Sequence, residues 1–244
     1  MMAIDDEILT HAASQSGLEC CGLVIDTGIG RLYQPCQNIA DRPELSFEIS
    51  PDEWLKAELH GEICAVVHSH PEGPEYLSEA DRVMQRRTAC EWWLAGEQRV
   101  HRFRNVPPLL GREFLHGVTD CYTLFRDAYH LTGIELPEFA REDEWWLGEQ
   151  ELYLDNMVAG GFERADEDVQ PGDIILICFG SARANHAAIY CGNQTILHHV
   201  PQRLSRRDTY GGFWRQYTHS IWRHKAWQPS AFMAICNDMA AALN

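Results

Sequence analysis

Two adjacent prolines, Pro107 and Pro108, interrupt the 244-residue chain within NVPPLLG (residues 105–111). Proline lacks a backbone N–H and fixes its own φ angle, so the pair cannot continue a helix or the interior of a sheet. A chain of this length fits one large domain or two small ones, since domains commonly run to about 100–200 residues. The proline pair favours two, and we expect domains at residues 1–104 and 112–244 with a linker at 105–111.

The residues before the prolines alternate strand and helix patterns. SPDEWLKAELHG predicts a helix because Ser50 suits the N-cap, Pro51 the first helical position and Gly61 the end. A second helix is expected from about Ser78 to Thr88. The predicted strands are CGLVID, RLYQP and EICAVVHSH, with a closing hairpin of CEWWLAG and VHRFRN. This alternation predicts an α/β fold.

The residues after the prolines begin with a helix and end with strands. The helix opens near Cys121 and is followed by an acidic loop, REDEWW. The predicted strands are GDIILICFG, HAAIYCG and TILHHV. A helix followed by a run of strands predicts an α+β domain.

Charge and hydropathy exclude several classes of partner. The formal net charge of −16 argues against broad electrostatic binding of nucleic acid or an anionic membrane surface. No apolar stretch is long enough for membrane insertion. The N-terminal sequence MMAIDDEILTHAA carries early acids and lacks the cationic and apolar regions of a secretory signal, so we expect synthesis and folding in the cytoplasm.

The nine cysteines include no C-x-x-C pair, which argues against a four-cysteine zinc site. In a cytoplasmic chain they are expected to be small buried hydrophobic residues and not a disulfide framework. We expect Cys178 and Cys191 to belong to the core, with Cys191 facing away from His186 on its strand. Cys121 is the exception.

The stretch HSHPEGPEYLSEAD combines groups that could bind one metal ion. His68 and His70 lie two apart at the end of a strand and so point to one face. Asp81 would add an anionic third ligand, and such a set leaves a fourth position open. H-x-H alone is a weak signal, however, and Ser78 with Asp81 also fits a helix capping box.

The full string resembles the JAMM/MPN metallopeptidase motif H-x-H-P-x(6)-S-x(2)-D at every specified position. The resemblance covers about residues 1–104 and includes an upstream glutamate, Glu19, before CCGLV. It implies that His68, His70 and Asp81 bind Zn²⁺, that Glu19 is the base that activates water, and that Ser78 donates to the oxyanion. The family cleaves peptide or isopeptide bonds.

Cys121 begins a predicted helix in HGVTDCYTLFRDAYH. A thiol in the first helical turn lies at the positive end of the helix dipole, which predicts a lowered pKa. A buried, unreactive cysteine is the alternative. His186 and His198 lie on successive strands, and adjacent antiparallel strands could bring one to Cys121 as a base and the other to orient it.

These elements resemble the NlpC-type murein peptidases, which have a papain-like fold and Cys–His–His catalysis. The matching parts are Asp120–Cys121, QPGDIILI, HAAIYCG and LHHV, within about residues 110–228. The family usually has D-C-S-G where this chain has DCYTLF, and its upstream tyrosine is replaced by Phe114 or His116. The oxyanion donor is therefore unassigned. We prefer His198 to His199 as the orienting residue because His199 would face the other side of the strand.

A JAMM-like domain followed by an NlpC-like domain resembles the tail assembly proteins of lambda-like siphophages. This resemblance implies peptidoglycan stem peptides and other phage tail proteins as partners, with the D-γ-glutamyl–diaminopimelate bond as the target of the second site. It also implies a location in the host cytoplasm during assembly and at the virion tail tip.

Two alternatives remain at this point. One is a structural tail-tip component in which one or both hydrolytic sites are inactive. The other is a host murein hydrolase, which the lack of an export signal disfavours.

Overall fold

The computed structural model describes residues 3–165 and 168–243. The chain divides into two compact units, one ending at Val106 and the other beginning at Pro107. Within the described ranges, no helix combines the length and the apolar character needed to cross a membrane.

The first unit is a five-stranded sheet with three helices. The helices are α1 (Ile4–Ser14), α2 (Pro51–His60) and α3 (Glu79–Thr88); the strands are β1 (Cys21–Asp26), β2 (Arg31–Cys36), β3 (Glu62–Ser69), β4 (Glu91–Ala95) and β5 (Val100–Phe103). The strand order is β2-β1-β3-β4-β5. The strands and helices predicted for this half are confirmed, including Ser50 as the N-cap of α2.

The crossover from β3 to β4 positions the candidate metal ligands. These two strands are parallel and α3 connects them, whereas the other pairs in the sheet are antiparallel. The carboxyl end of β3 therefore leads through a loop to the N-terminus of α3. Alternate residues of the strands fill apolar clusters on the two faces of the sheet, one around Leu23, Val66 and Leu94 and the other around Val24 and Trp93.

Within residues 107–165 and 168–243, the second unit has a six-stranded antiparallel sheet and four α-helices. The helices are α4 (Cys121–Leu131), α5 (Leu152–Ala159), α6 (Gly212–Gln216) and α7 (Phe232–Ala241); the strands are β6 (Phe162–Arg164), β7 (Ile174–Ile177), β8 (His186–Tyr190), β9 (Thr195–His198), β10 (Arg206–Thr209) and β11 (Thr218–His224). The strand order is β10-β9-β8-β7-β11-β6. Short 3₁₀ turns occupy Trp145–Leu147 and Pro229–Ala231. The predicted opening helix and the three predicted strands are confirmed. The expectation that this half ends with strands was wrong, because α7 follows β11 and buries the apolar side chains of Ile235 and Met239.

Helix α4 is buried on nearly every side, and it packs on β8 and β9. Cys121, at the N-terminus of α4, and His186, at the start of β8, line one cavity. This packing, which the sequence pattern does not give, brings the predicted thiol and imidazoles to the same region.

All nine cysteines are free, as expected. The prediction that Cys178 and Cys191 belong to the core was wrong, because both are only partly buried. Each lies just beyond the end of its strand, Cys178 after β7 and Cys191 after β8, where the chain turns toward the surface.

Candidate functional sites

The first candidate site brings three ligand-type atoms together at the carboxyl end of β3. His68 Nε2 and His70 Nε2 lie 3.1 Å apart, and Asp81 Oδ2 lies 3.4 Å from the first and 3.3 Å from the second. A tetrahedral ion with bonds of about 2.0–2.1 Å separates its ligand atoms by about 3.3–3.4 Å. The three separations therefore fit a metal of that size.

The surroundings of the two imidazoles direct their Nε2 atoms toward one point. His70 Nδ1–H donates to the carbonyl of Pro74 at 2.9 Å, which leaves the lone pair of His70 on Nε2. His68 is fully buried, with its ring stacked on Phe47 at 4.9 Å and edge-on to Trp92 at 5.3 Å. Such packing fixes each ring in one orientation.

The charges at this cluster suit cation binding. Burial lowers the pKa of His68, which keeps its imidazole neutral. Burial would raise the pKa of Asp81, but the two histidines outweigh it and hold that pKa well below its usual range. Burial would lower the pKa of His70, but its hydrogen bonds to Asp81 and Pro74 outweigh burial and the pKa is raised, so His70 must give up its proton to bind a metal. Once His70 is deprotonated, two imidazoles and one carboxylate are a donor set that divalent zinc accepts. The residues present therefore fit the metal that the sequence resemblance implies.

Glu19 lies just before β1 and is almost buried. Its backbone is held by its own N–H, which donates to Pro43, and by the Asn38 side chain, which donates to its carbonyl. Burial raises the pKa of the Glu19 carboxyl to about 7, with His70 opposing the shift and the Asp81 charge adding to it. The carboxyl therefore interacts electrostatically with the cluster, and a pKa near neutrality suits a general base.

Ser78 and Asp81 form the capping box of α3, so both interpretations of the SEAD sequence hold in the same structure. The Ser78 hydroxyl accepts the Asp81 backbone N–H at 3.1 Å, and Asp81 Oδ2 accepts the Ser78 backbone N–H at 2.8 Å. Because the hydroxyl acts as an acceptor in this cap, the cap does not use its proton. The cap also fixes the carboxylate oxygen that faces the two histidines.

The second candidate site is built on the N-terminus of α4. Asp120 is the N-cap of this helix, and its side chain accepts the backbone N–H groups of Thr123 and Gly117. The same carboxylate is paired with Arg141 at 2.8 Å, and both side chains are buried. This network fixes the direction of the first helical turn, which carries Cys121.

The pKa predicted for Cys121 was wrong in direction. Burial raises the pKa of its thiol to about 11, and the Asp120 charge adds to the increase. A hydrogen bond with the Tyr153 hydroxyl, 3.1 Å from the sulfur, lowers the pKa but does not compensate. The resting residue is therefore a neutral thiol, and any attack by its sulfur requires a base.

His186, His198 and Asp208 form a hydrogen-bonded row on three neighbouring strands. His186 Nε2 lies 3.1 Å from His198 Nδ1, and His198 Nε2 lies 3.0 Å from Asp208 Oδ2. Burial lowers the pKa of both histidines, so both rings are neutral near neutral pH. The predicted contact between the two imidazoles is therefore present. We call these three residues the histidine row.

Cys121 and His186 line the same cavity, which has a volume of about 720 Å³. Tyr153 also lines it, and the predicted acidic loop contributes Trp145 and Trp146. The cavity is large enough for a short peptide, since ligand pockets range over about 300–1,000 Å³. A thiol and an imidazole on one such wall could transfer an acyl group.

Three residues of this site were not predicted from the sequence. Tyr153 lies on α5 and Asp208 on β10, and neither belongs to a motif. Trp214, on α6, packs edge-on against His198 at 4.5 Å and lies 5.8 Å from His186. Trp214 stands in the aromatic stretch GGFWRQY, but no spacing in that stretch points to the histidines.

His199 is buried and packs edge-on against Phe114 at 5.1 Å. Its ring is not part of the histidine row, which supports the preference for His198 as the orienting residue. Phe114 also lines the cavity, near the place where the resemblance led us to expect a tyrosine.

Two family models match the chain, one for each unit. The model described as prokaryotic homologs of the JAB domain matches residues 3–106. The model of the NlpC/P60 family matches residues 111–223. The fold class predicted for the two halves is confirmed.

Two similar proteins cover most of the chain. Tail tip assembly protein K of Escherichia phage lambda is 57% identical over 195 residues, which is 80% of this chain and 98% of that protein. Tail tip assembly protein K of Escherichia phage N15 is 34% identical over 227 residues, which is 90% of this chain and 93% of that protein. A crystal structure of an NLP/P60-family protein from Staphylococcus aureus, described as similar to a lipoprotein, aligns with a TM-score of 0.36 and 18% identity over 47% of this chain and 37% of that one. On the identity and coverage of the two phage proteins, the chain belongs to the family of tail tip assembly protein K, with a JAB-type domain followed by an NlpC/P60 domain.

Proposed function

We propose that this chain is a phage tail-tip assembly protein with two peptidase sites, a zinc site in residues 1–104 and a cysteine site in residues 112–244. Residues 105–111 are the linker between them. The observation that carries the proposal is that the side chains needed for each reaction lie close together in the folded protein. His68, His70 and Asp81 meet as a ligand cluster of two imidazoles and a carboxylate. In the second unit, Cys121 and His186 line one cavity, and His198 is hydrogen-bonded to His186.

At the first site, His68, His70 and Asp81 would hold Zn²⁺. When bound, the metal polarises the scissile carbonyl and makes water more acidic. Glu19 accepts the proton of the attacking water and passes it to the leaving amine. The Ser78 hydroxyl donates a hydrogen bond to the developing oxyanion.

At the second site, Cys121 is the nucleophile and His186 is its base. His186 takes the thiol proton as the sulfur attacks the scissile carbonyl, and the Tyr153 hydroxyl stabilises charge near the sulfur. Collapse of the tetrahedral intermediate releases the amine, which takes the proton from His186, and leaves an acyl-enzyme. His186 then deprotonates the water that hydrolyses the thioester.

The raised pKa of Cys121 supports a mechanism in which the proton moves during the reaction. With a thiol pKa of about 11, only about one molecule in 10⁴ carries a thiolate at pH 7. A neutral His186 is the correct state for accepting the proton. His198 orients that imidazole through the bond to its Nε2.

The substrate class follows from the family and the cavity. We propose peptidoglycan stem peptides for the cysteine site, with cleavage at the D-γ-glutamyl–diaminopimelate bond. For the zinc site we propose a peptide or isopeptide bond, in a murein cross-bridge or in a tail protein that is processed during assembly. Other tail proteins are the expected protein partners, first in the host cytoplasm and then at the tail tip.

A purely structural role in tail-tip assembly is the second candidate. The neutral, buried thiol of Cys121 favours it for the second site, because a buried thiol with a raised pKa is typical of an unreactive structural cysteine. The two proposals differ in whether purified protein cuts murein.

Digestion of purified sacculi tests the proposal. Wild type, Cys121→Ala and Glu19→Gln are incubated with sacculi and a zinc salt, and the soluble products are identified by mass spectrometry. We expect wild type to release stem-peptide fragments ending at D-glutamate, and Cys121→Ala to release none. Identical product profiles for all three proteins would support the structural role instead.

A further inference from the structure

Asp208 is connected to the cysteine site through the register of three neighbouring strands. On β8 and β9, Ala188 is paired with His198, so His186 is a diagonal neighbour of His198. On β9 and β10, His198 is paired with Arg206, so Asp208 is a diagonal neighbour on the other side. Diagonal neighbours share a face, and their long side chains can meet. The sheet therefore lines up a carboxylate and two imidazoles.

The row fixes where each proton lies. A carboxylate only accepts hydrogen bonds, so His198 must donate Nε2–H to Asp208 across their 3.0 Å contact. A neutral imidazole has one N–H, so His198 Nδ1 then carries a lone pair and accepts from His186 Nε2–H at 3.1 Å. His186 Nδ1 is left with the lone pair. A base needs that lone pair.

The opposite pair of tautomers, with both histidines protonated on Nδ1, does not fit the geometry. If His198 carried its proton on Nδ1, its Nε2 lone pair would face the Asp208 oxygen at 3.0 Å, and two acceptors would repel each other. His186 would then carry its proton on Nδ1 and could not accept another there. The Asp208 carboxylate thus selects the tautomer of His186 that can accept a proton, although it does not contact the His186 ring.

We propose that Asp208 is a positioning residue that sets the tautomers of both His198 and His186, and this inference rests on the proposed nucleophile role of Cys121. Asp208 itself takes no proton. The thiol proton moves to His186 Nδ1, the resulting imidazolium keeps its Nε2–H bond to His198, and the carboxylate stabilises the positive charge from the end of the row.

The groups around Asp208 keep it ionised. Its Oδ2 also accepts from Arg206 Nε at 3.1 Å and from Arg206 Nη2 at 2.8 Å. Burial would raise the pKa of Asp208, but the bonds from His198 and Arg206 outweigh it and the pKa is lowered. Arg203 is a further cation near His198 and opposes protonation of that ring.

Nuclear magnetic resonance of protein carrying nitrogen-15-labelled histidine tests the tautomers directly. Long-range proton–nitrogen correlation near neutral pH distinguishes Nδ1–H from Nε2–H rings, and His186→Gln and His198→Gln assign the two signals. We expect both rings to be Nε2–H in wild type. In Asp208→Ala we expect a mixture of tautomers at both rings.

Two further variants separate this role from a general structural one. Asp208→Asn keeps the shape of the side chain and an amide oxygen acceptor, so a folded variant is available if Asp208→Ala is unstable; we expect its rings to be partly Nε2–H. Arg207→Gln is the matched control, because Arg207 is exposed on the same strand and should leave both rings unchanged. A wild-type His186 with Nδ1–H, or wild-type tautomers in both Asp208 variants, would overturn the inference.

Activity measurements distinguish failure of the inference from failure of the proposed function. With stem peptide as substrate, we expect Asp208→Ala to lower kcat by about 10²-fold, the lower end of the range of general-base catalysis, with KM unchanged. Loss of the carboxylate also lowers the pKa of His186, so the acidic limb of the rate profile moves to lower pH. If wild type has the expected tautomers but cuts no murein, the proposed hydrogen-bond order of the histidine row is supported and the proposed peptidase activity is contradicted.

Discussion

The hydroxyl oxygen of Tyr153 lies 3.1 Å from the sulfur of Cys121, although the two residues are 32 positions apart in the chain. Both side chains are buried, and the contact is made between α5 and the first turn of α4. The family resemblance led us to expect a tyrosine before the cysteine, and here one after it reaches the thiol. The contact makes Tyr153 a hydrogen-bond donor for a thiolate, beside the backbone of Ala187.

Tyr153→Phe should slow the reaction of Cys121 with iodoacetamide by about 2- to 10-fold, because a hydrogen bond of this kind contributes about 0.5–1.5 kcal/mol. The phenol lowers the thiol pKa, so its loss reduces the thiolate fraction. Tyr122→Phe is the matched control, since the Tyr122 hydroxyl donates to the Pro137 carbonyl and not to the sulfur. Equal alkylation rates in the two variants, measured by peptide mass spectrometry, would contradict the assignment.

Purified wild type should contain close to one zinc ion per chain by elemental analysis, and His70→Ala or Asp81→Asn should lose it. Each change removes one of three ligand atoms that lie within 4.8 Å of one another. His60→Ala should keep the metal, because that exposed ring lies on α2 and is hydrogen-bonded to the Lys56 carbonyl of the same helix. A well-folded wild type that binds no zinc after dialysis against a zinc salt would disprove the metal site.

Glu19→Gln should keep the zinc and lose turnover at the first site by about 10²- to 10⁴-fold, the range that general-base catalysis supplies. The pKa of Glu19 is about 7 without a metal, and a nearby divalent cation lowers it. The carboxylate is the active form, so the wild-type rate should rise with pH through the pKa of the metal-bound protein and then level off. A pH profile that is the same in both proteins would exclude Glu19 as the base.

Trp214→Ala should reduce kcat at the cysteine site by about tenfold or more, because small displacements of catalytic groups are costly. The indole packs against His198 at 4.5 Å and stacks on Phe179 at 5.9 Å, so it limits the orientations of the ring. Phe213→Ala, an exposed neighbour on α6, serves as the control. If both variants lose the same activity, the loss comes from a disturbed α6 and not from the missing contact between the Trp214 indole and His198.

Arg141→Met should lower the free energy of unfolding by about 3–5 kcal/mol, because it leaves the buried Asp120 carboxylate without its cation. Combining it with Asp120→Asn should recover much of the loss. Arg183→Met is the control, since its pair with Glu151 is more exposed and contributes less than about 1 kcal/mol. Urea denaturation followed by tryptophan fluorescence measures the stability of all three variants. Equal losses of unfolding free energy in Arg141→Met and Arg183→Met would contradict the prediction.

The ion pair between Arg141 and Asp120 should also make the free energy of unfolding depend on pH. Burial would raise the pKa of Asp120, but bonds from Thr123 and Arg141 lower it below the ordinary value. A carboxyl with a lowered folded-state pKa contributes stability above its unfolded pKa, which is about 4, and that stability is lost as the pH falls further. The stability difference between wild type and the double variant should therefore shrink in acid.

Local sequence patterns predicted the elements of this protein well. Ser50 and Ser78 each begin a helix, and the strand ending in HSH has its two histidines close together. These features depend on residues close together in the chain, so the rules of helix capping and strand alternation can predict them. The thiol pKa was predicted in the wrong direction because burial depends on distant packing, which the helix position of Cys121 does not reveal.

The sequence alone determined which motifs exist and the order in which the two halves carry them. It could also place His68 near His70 and His198 on a strand after His186, since those relations follow from strand geometry. Only the tertiary structure decided that Tyr153, Trp214 and Asp208 belong with them. Their positions depend on strand order, register and helix docking, which are set by long-range packing free energy, so no spacing in the chain records them.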